Sequence, residues 1–124
     1  MADKVIYNTD RMYKGGDEMT RKYNKLARDR IPEIIESTGS TCITDILSDE
    51  DYLRMVDAKL DEELAEYHKD RNIEELADLL EVIYAAATAC GYTLEQLEQV
   101  RAEKAAKRGG FAKKILLKEV IERE

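Results

Sequence analysis

The side chains in this 124-residue chain that are best suited to chemistry are acidic residues repeated at helical spacing. Glu63 and Glu66 lie three positions apart, and so do Glu75 and Asp78. Residues three apart lie on one face of an α-helix, so each pair would present its carboxylates together. Carboxylates that converge in a groove repel one another and must bind either protons or a cation. Because oxygen-only ligands prefer hard ions, the pattern predicts Mg²⁺, with Mn²⁺ as the alternative.

The two acidic pairs are placed symmetrically about a predicted reversal of the chain near residues 70–71. The connection is so short that the helices on either side of it should run antiparallel. Positions 66 and 75 are then equidistant from the turn. Positions 63 and 78 are equidistant from it as well. All four carboxylates should therefore meet in one groove between the two helices.

The same acidic spacing is also common on solvated helix faces. The chain has 27 acidic and 20 basic residues and a formal net charge of −7, and the helix dipole favours acids in a first turn. Asp78 and Glu81, however, fall within the most apolar predicted helix, where an unpaired carboxylate is costly. The residues alone leave both interpretations open, a metal site and a solvated acidic face.

A phosphate-bearing substrate bound by acidic residues would need cationic side chains as well as a metal. Arg101, Lys104 and Arg108 are spaced i, i+3 and i+7 and would share one face of a later helix. Basic side chains near a helix C-terminus are also favoured by the dipole, which gives this cluster an ordinary structural explanation. A second basic stretch at residues 23–32 predicts by itself only a loop.

Capping signals and apolar periodicity define the elements that would hold these side chains in place. They predict four helices, a loop at residues 40–47, and a tail at residues 111–124 that is ambiguous between strand and helix. The expected fold is an all-α helical bundle. The predicted helices run from Ile31 to Ser37, from Ser48 to the turn at 70–71, from Asn72 to Cys90, and from Thr93 to near Arg108.

Residues 1–18 differ from the rest of the chain because they are polar and lack periodicity. The segment from Lys14 to Met19 has the residues that a purine-rich ribosome-binding sequence before a start codon would encode. This suggests that residues 1–18 are a translated leader and that synthesis naturally begins at Met19. An ordinary flexible tail is the alternative. Residues 19–124 are predicted to form a single domain.

Composition restricts the class of protein further. The acidic net charge disfavours binding to nucleic acid, no stretch approaches the about 20 apolar residues of a membrane span, and the N-terminus lacks the apolar core of a signal peptide. His68 is the sole histidine, and Cys42 and Cys90 lack zinc-site spacing and are expected to be free thiols. We therefore expect a cytoplasmic protein that binds neither nucleic acid nor membrane. Helix 73–90 is too apolar for one neighbour to cover, which predicts a homodimer or higher homo-oligomer.

Three motifs follow one another along the chain: YNKLARDRIPEII at 23–35, EELAE at 62–66 with EELAD at 74–78, and EKAAKRGGF at 103–111. In this order they resemble the all-α nucleotide pyrophosphohydrolase superfamily, which includes MazG-like enzymes, dimeric dUTPases and phosphoribosyl-ATP pyrophosphohydrolase. The pattern is most similar to small MazG-like proteins often labelled phosphoribosyl-ATP pyrophosphohydrolase-like. The resemblance covers about residues 20–118.

The resemblance implies hydrolysis of the α–β phosphate linkage of a nucleoside triphosphate, and it implies roles for individual residues. The implied Mg²⁺ ligands are Glu63, Glu66, Glu75 and Asp78. The candidate catalytic residues, one of which would orient the attacking water, are Glu62, Glu63 and Glu66. The candidate substrate-binding residues are Lys104, Arg108, Arg101, Asn24, Arg28 and Arg30.

Three functional hypotheses follow. The first is a house-cleaning enzyme that removes noncanonical nucleotides, and the motif at 23–32 favours it. The second is phosphoribosyl-ATP pyrophosphohydrolase of histidine biosynthesis. The third, of another class, is a non-catalytic helical interaction module whose acidic groove is merely solvated.

Overall fold

The computed structural model describes residues 11–14 and 18–123, and helices dominate this part of the chain. The prediction of an all-α fold is confirmed at that level, although a short antiparallel strand pair, which the sequence did not predict, precedes the helices. The elements are β1 (Arg11–Lys14), β2 (Glu18–Arg21), α1 (Ile31–Glu36), α2 (Asp49–Asp70), α3 (Ile73–Ala89) and α4 (Leu94–Arg108).

Helix α2 begins where its capping residue predicts. The Ser48 hydroxyl accepts a hydrogen bond of 3.2 Å from the backbone N–H of Asp51. Acidic residues fill the first turn, where the helix dipole stabilises negative charge. The whole helix spans 22 residues, and the predicted metal ligands Glu63 and Glu66 lie in its second half.

The reversal between α2 and α3 takes only two residues. Arg71 has a left-handed backbone (φ +48°), and its N–H donates to the carbonyl of Tyr67 at 2.7 Å, which closes α2. Its guanidinium carbon lies 5.7 Å from the centre of the Tyr67 ring. The Asn72 side chain then accepts from the N–H of Glu75 at 3.0 Å and opens α3. The two helices pack extensively against each other, which confirms the predicted helical hairpin.

Helix α4 is attached much less extensively than α3, since it makes few contacts with its neighbour. Gly91, at φ +91°, follows the end of α3. Thr93 and Gln96 then form a reciprocal capping box with bonds of 2.8 and 3.1 Å. Beyond α4, residues 109–123 contain neither helix nor strand, so neither alternative for the tail applies to the described residues.

The core of the described chain is small. Val56 is the one buried hydrophobic residue among those whose side chains are described, and the remaining buried residues are Glu63 and Glu75. On α3, Leu76, Leu80 and Ile83 are each more than a third exposed. The best-packed part of the α2–α3 hairpin therefore surrounds two acidic residues.

Several sequence predictions concern features outside this core. Residues 1–10 and 15–17 of the predicted leader lie outside the described residues, so the leader stays a prediction. Cys42 and Cys90 are free thiols, as expected. Within the described ranges, no helix has both the length and the apolar character that a bilayer crossing would require.

Candidate metal centre

The four predicted metal ligands lie on the facing helices of the hairpin. Glu63 and Glu66 come from α2, and Glu75 and Asp78 come from α3. Glu63 is only 4% exposed and Glu75 only 3% exposed, while the other two are partly exposed. Glu81, also within α3, is exposed. The hairpin thus separates two enclosed carboxylates from the acidic residues that face solvent.

These carboxylates form two groups of three that share Glu75. One oxygen each from Glu63, Glu75 and Asp78 lies within 4.8 Å of the others, and the same holds for Glu66, Asp70 and Glu75. Oxygen ligands lie about 2.0–2.1 Å from Mg²⁺ and therefore at most about 4.2 Å apart. Small side-chain rotations would close either group on a cation. Asp70, the last residue of α2, was not predicted, although it lies four positions after Glu66.

Burial makes the charged forms of Glu63 and Glu75, two members of the first group, costly in free energy. Taking a carboxylate out of water costs several kcal/mol unless charge or hydrogen bonds compensate for it. Glu63 and Glu75 both make other interactions, but their Oε2 atoms are enclosed and accept no hydrogen bond within the described part of the chain. The donor set consists only of oxygen and carries three negative charges, which suits Mg²⁺ or Mn²⁺.

Two lysines that the sequence did not single out lie beside the acidic cluster. The Lys59 Nζ atom lies 3.4 Å from Glu62 Oε2 and 3.7 Å from Glu63 Oε1. The Lys25 Nζ atom lies 3.2 Å from Glu62 Oε1. Lys59 sits one helical turn before these glutamates, a spacing visible in the sequence, whereas Lys25 comes from a distant loop. Glu62 is thus held by lysines and belongs to neither carboxylate group of the described residues.

Arg28 is the predicted substrate-binding residue that reaches the acidic cluster. Its Nη2 atom donates to Asp78 Oδ1 at 2.7 Å, across 50 positions of sequence. The Arg28 side chain is 56% exposed and that of Asp78 is 26% exposed. A guanidinium therefore lies against one member of the first carboxylate group.

The other predicted substrate-binding residues make no hydrogen bond or ion pair with the cluster in the described ranges. The Nε atom of Arg30, which precedes α1, lies 3.4 Å from Glu33 Oε2 in the first turn of that helix. Arg101 donates to Glu98 at 2.6 and 2.9 Å, and this hydrogen bond lowers the pKa of Glu98 and raises that of Arg101. The remaining three, which are all exposed, are Asn24, Lys104 and Arg108.

The similarity found between this chain and known proteins covers part of its length. No family model and no solved structure matches the chain. An uncharacterized protein of Mycolicibacterium smegmatis (strain ATCC 700084 / mc(2)155) is 55% identical to it over 42 residues. That stretch is 34% of this chain and 43% of the relative, so the match spans less than half the length of either protein. The family resemblance therefore stays a prediction from the motifs.

Proposed function

We propose that this chain is a Mg²⁺-dependent nucleotide pyrophosphohydrolase that converts nucleoside triphosphates into monophosphate and pyrophosphate. The observation that carries the proposal is the convergence of Glu63, Glu75 and Asp78 within 4.8 Å, with the first two buried. A merely solvated acidic face would leave its carboxylates in water, where they cost nothing. The order of the three motifs supports the choice of reaction.

The carboxylates have different parts in this proposal. Glu63, Glu75 and Asp78 would hold the cation, and Glu66 with Asp70 would complete the shell around Glu75. When bound, Mg²⁺ would supply Lewis-acid chemistry that polarises a phosphoryl oxygen and makes a water more acidic. Mn²⁺ suits the same oxygen ligands.

Glu66 is the best candidate to orient the attacking water. It is partly exposed and lies at the edge of the cluster next to Asp70. Glu63 is buried, and Glu62 belongs to neither carboxylate group of the described residues. Only an accessible carboxylate within reach of the water can accept its proton.

Basic side chains would neutralise the phosphates of the substrate. Lys25, Arg28 and Lys59 already lie beside the cluster. Charge that develops on a pyrophosphate leaving group is stabilised by such preplaced cations. Lys104 and Arg108 stay candidates on the motif resemblance.

The proposed assembly is a homodimer or higher homo-oligomer. Leu76, Leu80 and Leu94 are 43–47% exposed, and they lie on α3 and α4. Leu80, Tyr84 and Leu94 line an apolar groove between these two helices. Exposed apolar surface on adjacent helices is typical of protein interfaces.

Removal of noncanonical nucleotides is the first candidate for the biological role, and the phosphoribosyl-ATP reaction is the second. Both use the same bond and the same cation, so a substrate panel separates them. The non-catalytic helical module is disfavoured by the burial of two carboxylates, because an interaction module gains nothing from that cost.

The test is pyrophosphate release by the full chain, with Mg²⁺ or with EDTA, across canonical and noncanonical nucleoside triphosphates and phosphoribosyl-ATP. Release from triphosphates that requires Mg²⁺ supports the house-cleaning role. Release from phosphoribosyl-ATP alone supports the biosynthetic role. No release from any of them, with a melting temperature that Mg²⁺ does not change, would overturn the enzymatic proposal.

A further inference from the structure

The segment between β2 and α1 is irregular and carries four basic residues. We refer to residues 22–30 as the basic strap. Two long-range ion pairs hold it against the α2–α3 hairpin, Lys25 with Glu62 and Arg28 with Asp78. The strap is therefore attached to the α2–α3 hairpin at two different points.

The two attachments differ in what they contact. Glu62 belongs to neither carboxylate group of the described residues, so Lys25 does not contact the proposed cation ligands. Asp78 belongs to the first group, and Arg28 donates to it at 2.7 Å. Arg28 thus supplies positive charge to a carboxylate that would also ligate a divalent cation.

A divalent cation and this guanidinium would oppose each other at Asp78. Both need the electron pairs of one carboxylate, and the two positive charges repel at such short range. Arg28 is more than half exposed, so its side chain can turn into water without disturbing the packed hairpin. Glu63 and Glu75 are enclosed between α2 and α3 and have no comparable freedom.

We propose, building on the metal site of the proposed function, that Arg28 competes with the divalent cation for Asp78. Without the cation, Arg28 neutralises Asp78 and holds the C-terminal end of the basic strap against the hairpin. Cation binding displaces the guanidinium, while Lys25 keeps the other end of the strap attached to Glu62. Metal loading and the release of a basic side chain are then linked, and by reciprocity removing Arg28 must strengthen cation binding.

The first test measures binding of Mn²⁺ alone to the full chain, from the electron paramagnetic resonance signal of free Mn²⁺. Arg28→Gln is compared with the wild type and with Arg30→Gln. Arg30→Gln loses the same charge from the same strap, but Arg30 pairs with Glu33 of α1 and not with the hairpin. We expect Arg28→Gln to bind Mn²⁺ at least about fivefold more tightly than both.

Each outcome of that titration has a distinct meaning. Equal affinities in the Arg28→Gln and Arg30→Gln variants would overturn the competition and leave the metal site intact. A failure of all three proteins to bind Mn²⁺ would instead overturn the proposed metal site, and the competition with it.

The second test uses the unmodified chain, so it does not depend on a variant folding. Backbone hydrogen exchange is followed by mass spectrometry with and without Mg²⁺. The N–H of Ile31 donates to the carbonyl of Arg28 at 3.0 Å, and we expect exchange at residues 28–31 to become faster on adding Mg²⁺ while exchange in α2 and α3 becomes slower. Unchanged or slower exchange at residues 28–31, with protection in α2 and α3, would overturn the displacement.

Discussion

A carboxylate oxygen of Glu63 lies within 4.8 Å of a carboxylate oxygen of Glu75 across the groove between α2 and α3, and both side chains are almost fully enclosed. Like charges so close and so poorly hydrated oppose folding. A cation bound between the two carboxylates would offset their repulsion. We therefore expect the proposed metal to stabilise the hairpin.

The first prediction concerns thermal stability. Mg²⁺ at about 100 times its dissociation constant should stabilise the native state by about 2.7 kcal/mol, which raises the melting temperature by on the order of 10 °C in a chain of this size. Scanning calorimetry in Mg²⁺ and in EDTA measures it, with potassium salt at matched ionic strength as the control. Identical melting in all three solutions would contradict the prediction.

The second prediction concerns the ligands. Glu63→Gln and Asp78→Asn should each lower the rate of pyrophosphate release by at least about 10²-fold, because each removes a negative oxygen from the cation. Circular dichroism should stay near that of the wild type. The controls with matched chemistry are Glu50→Gln and Asp57→Asn, at exposed positions of α2, the helix that carries Glu63, and both should keep full activity. Activity retained in both ligand variants would exclude the assigned ligands.

The third prediction separates stability from activity in one variant. In EDTA, Glu63→Gln should melt at a higher temperature than the wild type, by the equivalent of about 1 kcal/mol, because it removes one of two enclosed like charges. Lys59 keeps its contact with Glu62 at 3.4 Å in this variant. The same variant should lose the stabilisation by Mg²⁺. A lower melting temperature in EDTA would show that the two carboxylates do not repel.

The fourth prediction uses the helix caps. Asn72→Ala and Thr93→Ala each remove a side-chain acceptor at a helix start, and each should lower the free energy of unfolding by about 1 kcal/mol. Only Asn72→Ala should also weaken Mn²⁺ binding, since its partner is the N–H of Glu75. Equal Mn²⁺ affinity in the two variants would mean that this cap does not help to position Glu75.

The fifth prediction concerns assembly. Light scattering should show a dimer or larger species for the wild type, and Leu80→Glu should shift it towards the monomer, because Leu80 lines the apolar groove between α3 and α4. Leu116→Glu is the control, since Leu116 is 82% exposed in the irregular C-terminal segment. A monomeric wild type would contradict the proposed assembly.

Local chemistry made much of this fold predictable from sequence. Ser48, Asn72 and Thr93 each cap the helix expected of them, because a capping side chain interacts with backbone only three residues away. The placement of Glu63 near Asp78 followed from the short turn at Arg71. In both cases the determining interactions lie within a few residues or one helical reversal.

Longer-range features were not predictable in the same way. The Arg28–Asp78 ion pair depends on the path of an irregular segment, and such a path leaves no periodic signal in the sequence. The strand pair β1–β2 could not be predicted from the sequence either, because its residues are mostly polar and do not alternate with apolar ones. Asp70 is different, since its spacing from Glu66 was visible but its position at the end of α2 concealed its part in the cluster.

Val56 is the one buried hydrophobic residue among the described side chains. This small core has a practical consequence for activity measurements. In the proposed homo-oligomer, part of the cohesion would come from neighbouring copies and obey mass action, so dilution would populate dissociated and less ordered protein. The proposed activity per molecule would then fall as the protein is diluted to nanomolar levels for a rate measurement. Turnover should accordingly be determined over a range of protein concentrations before two variants are compared.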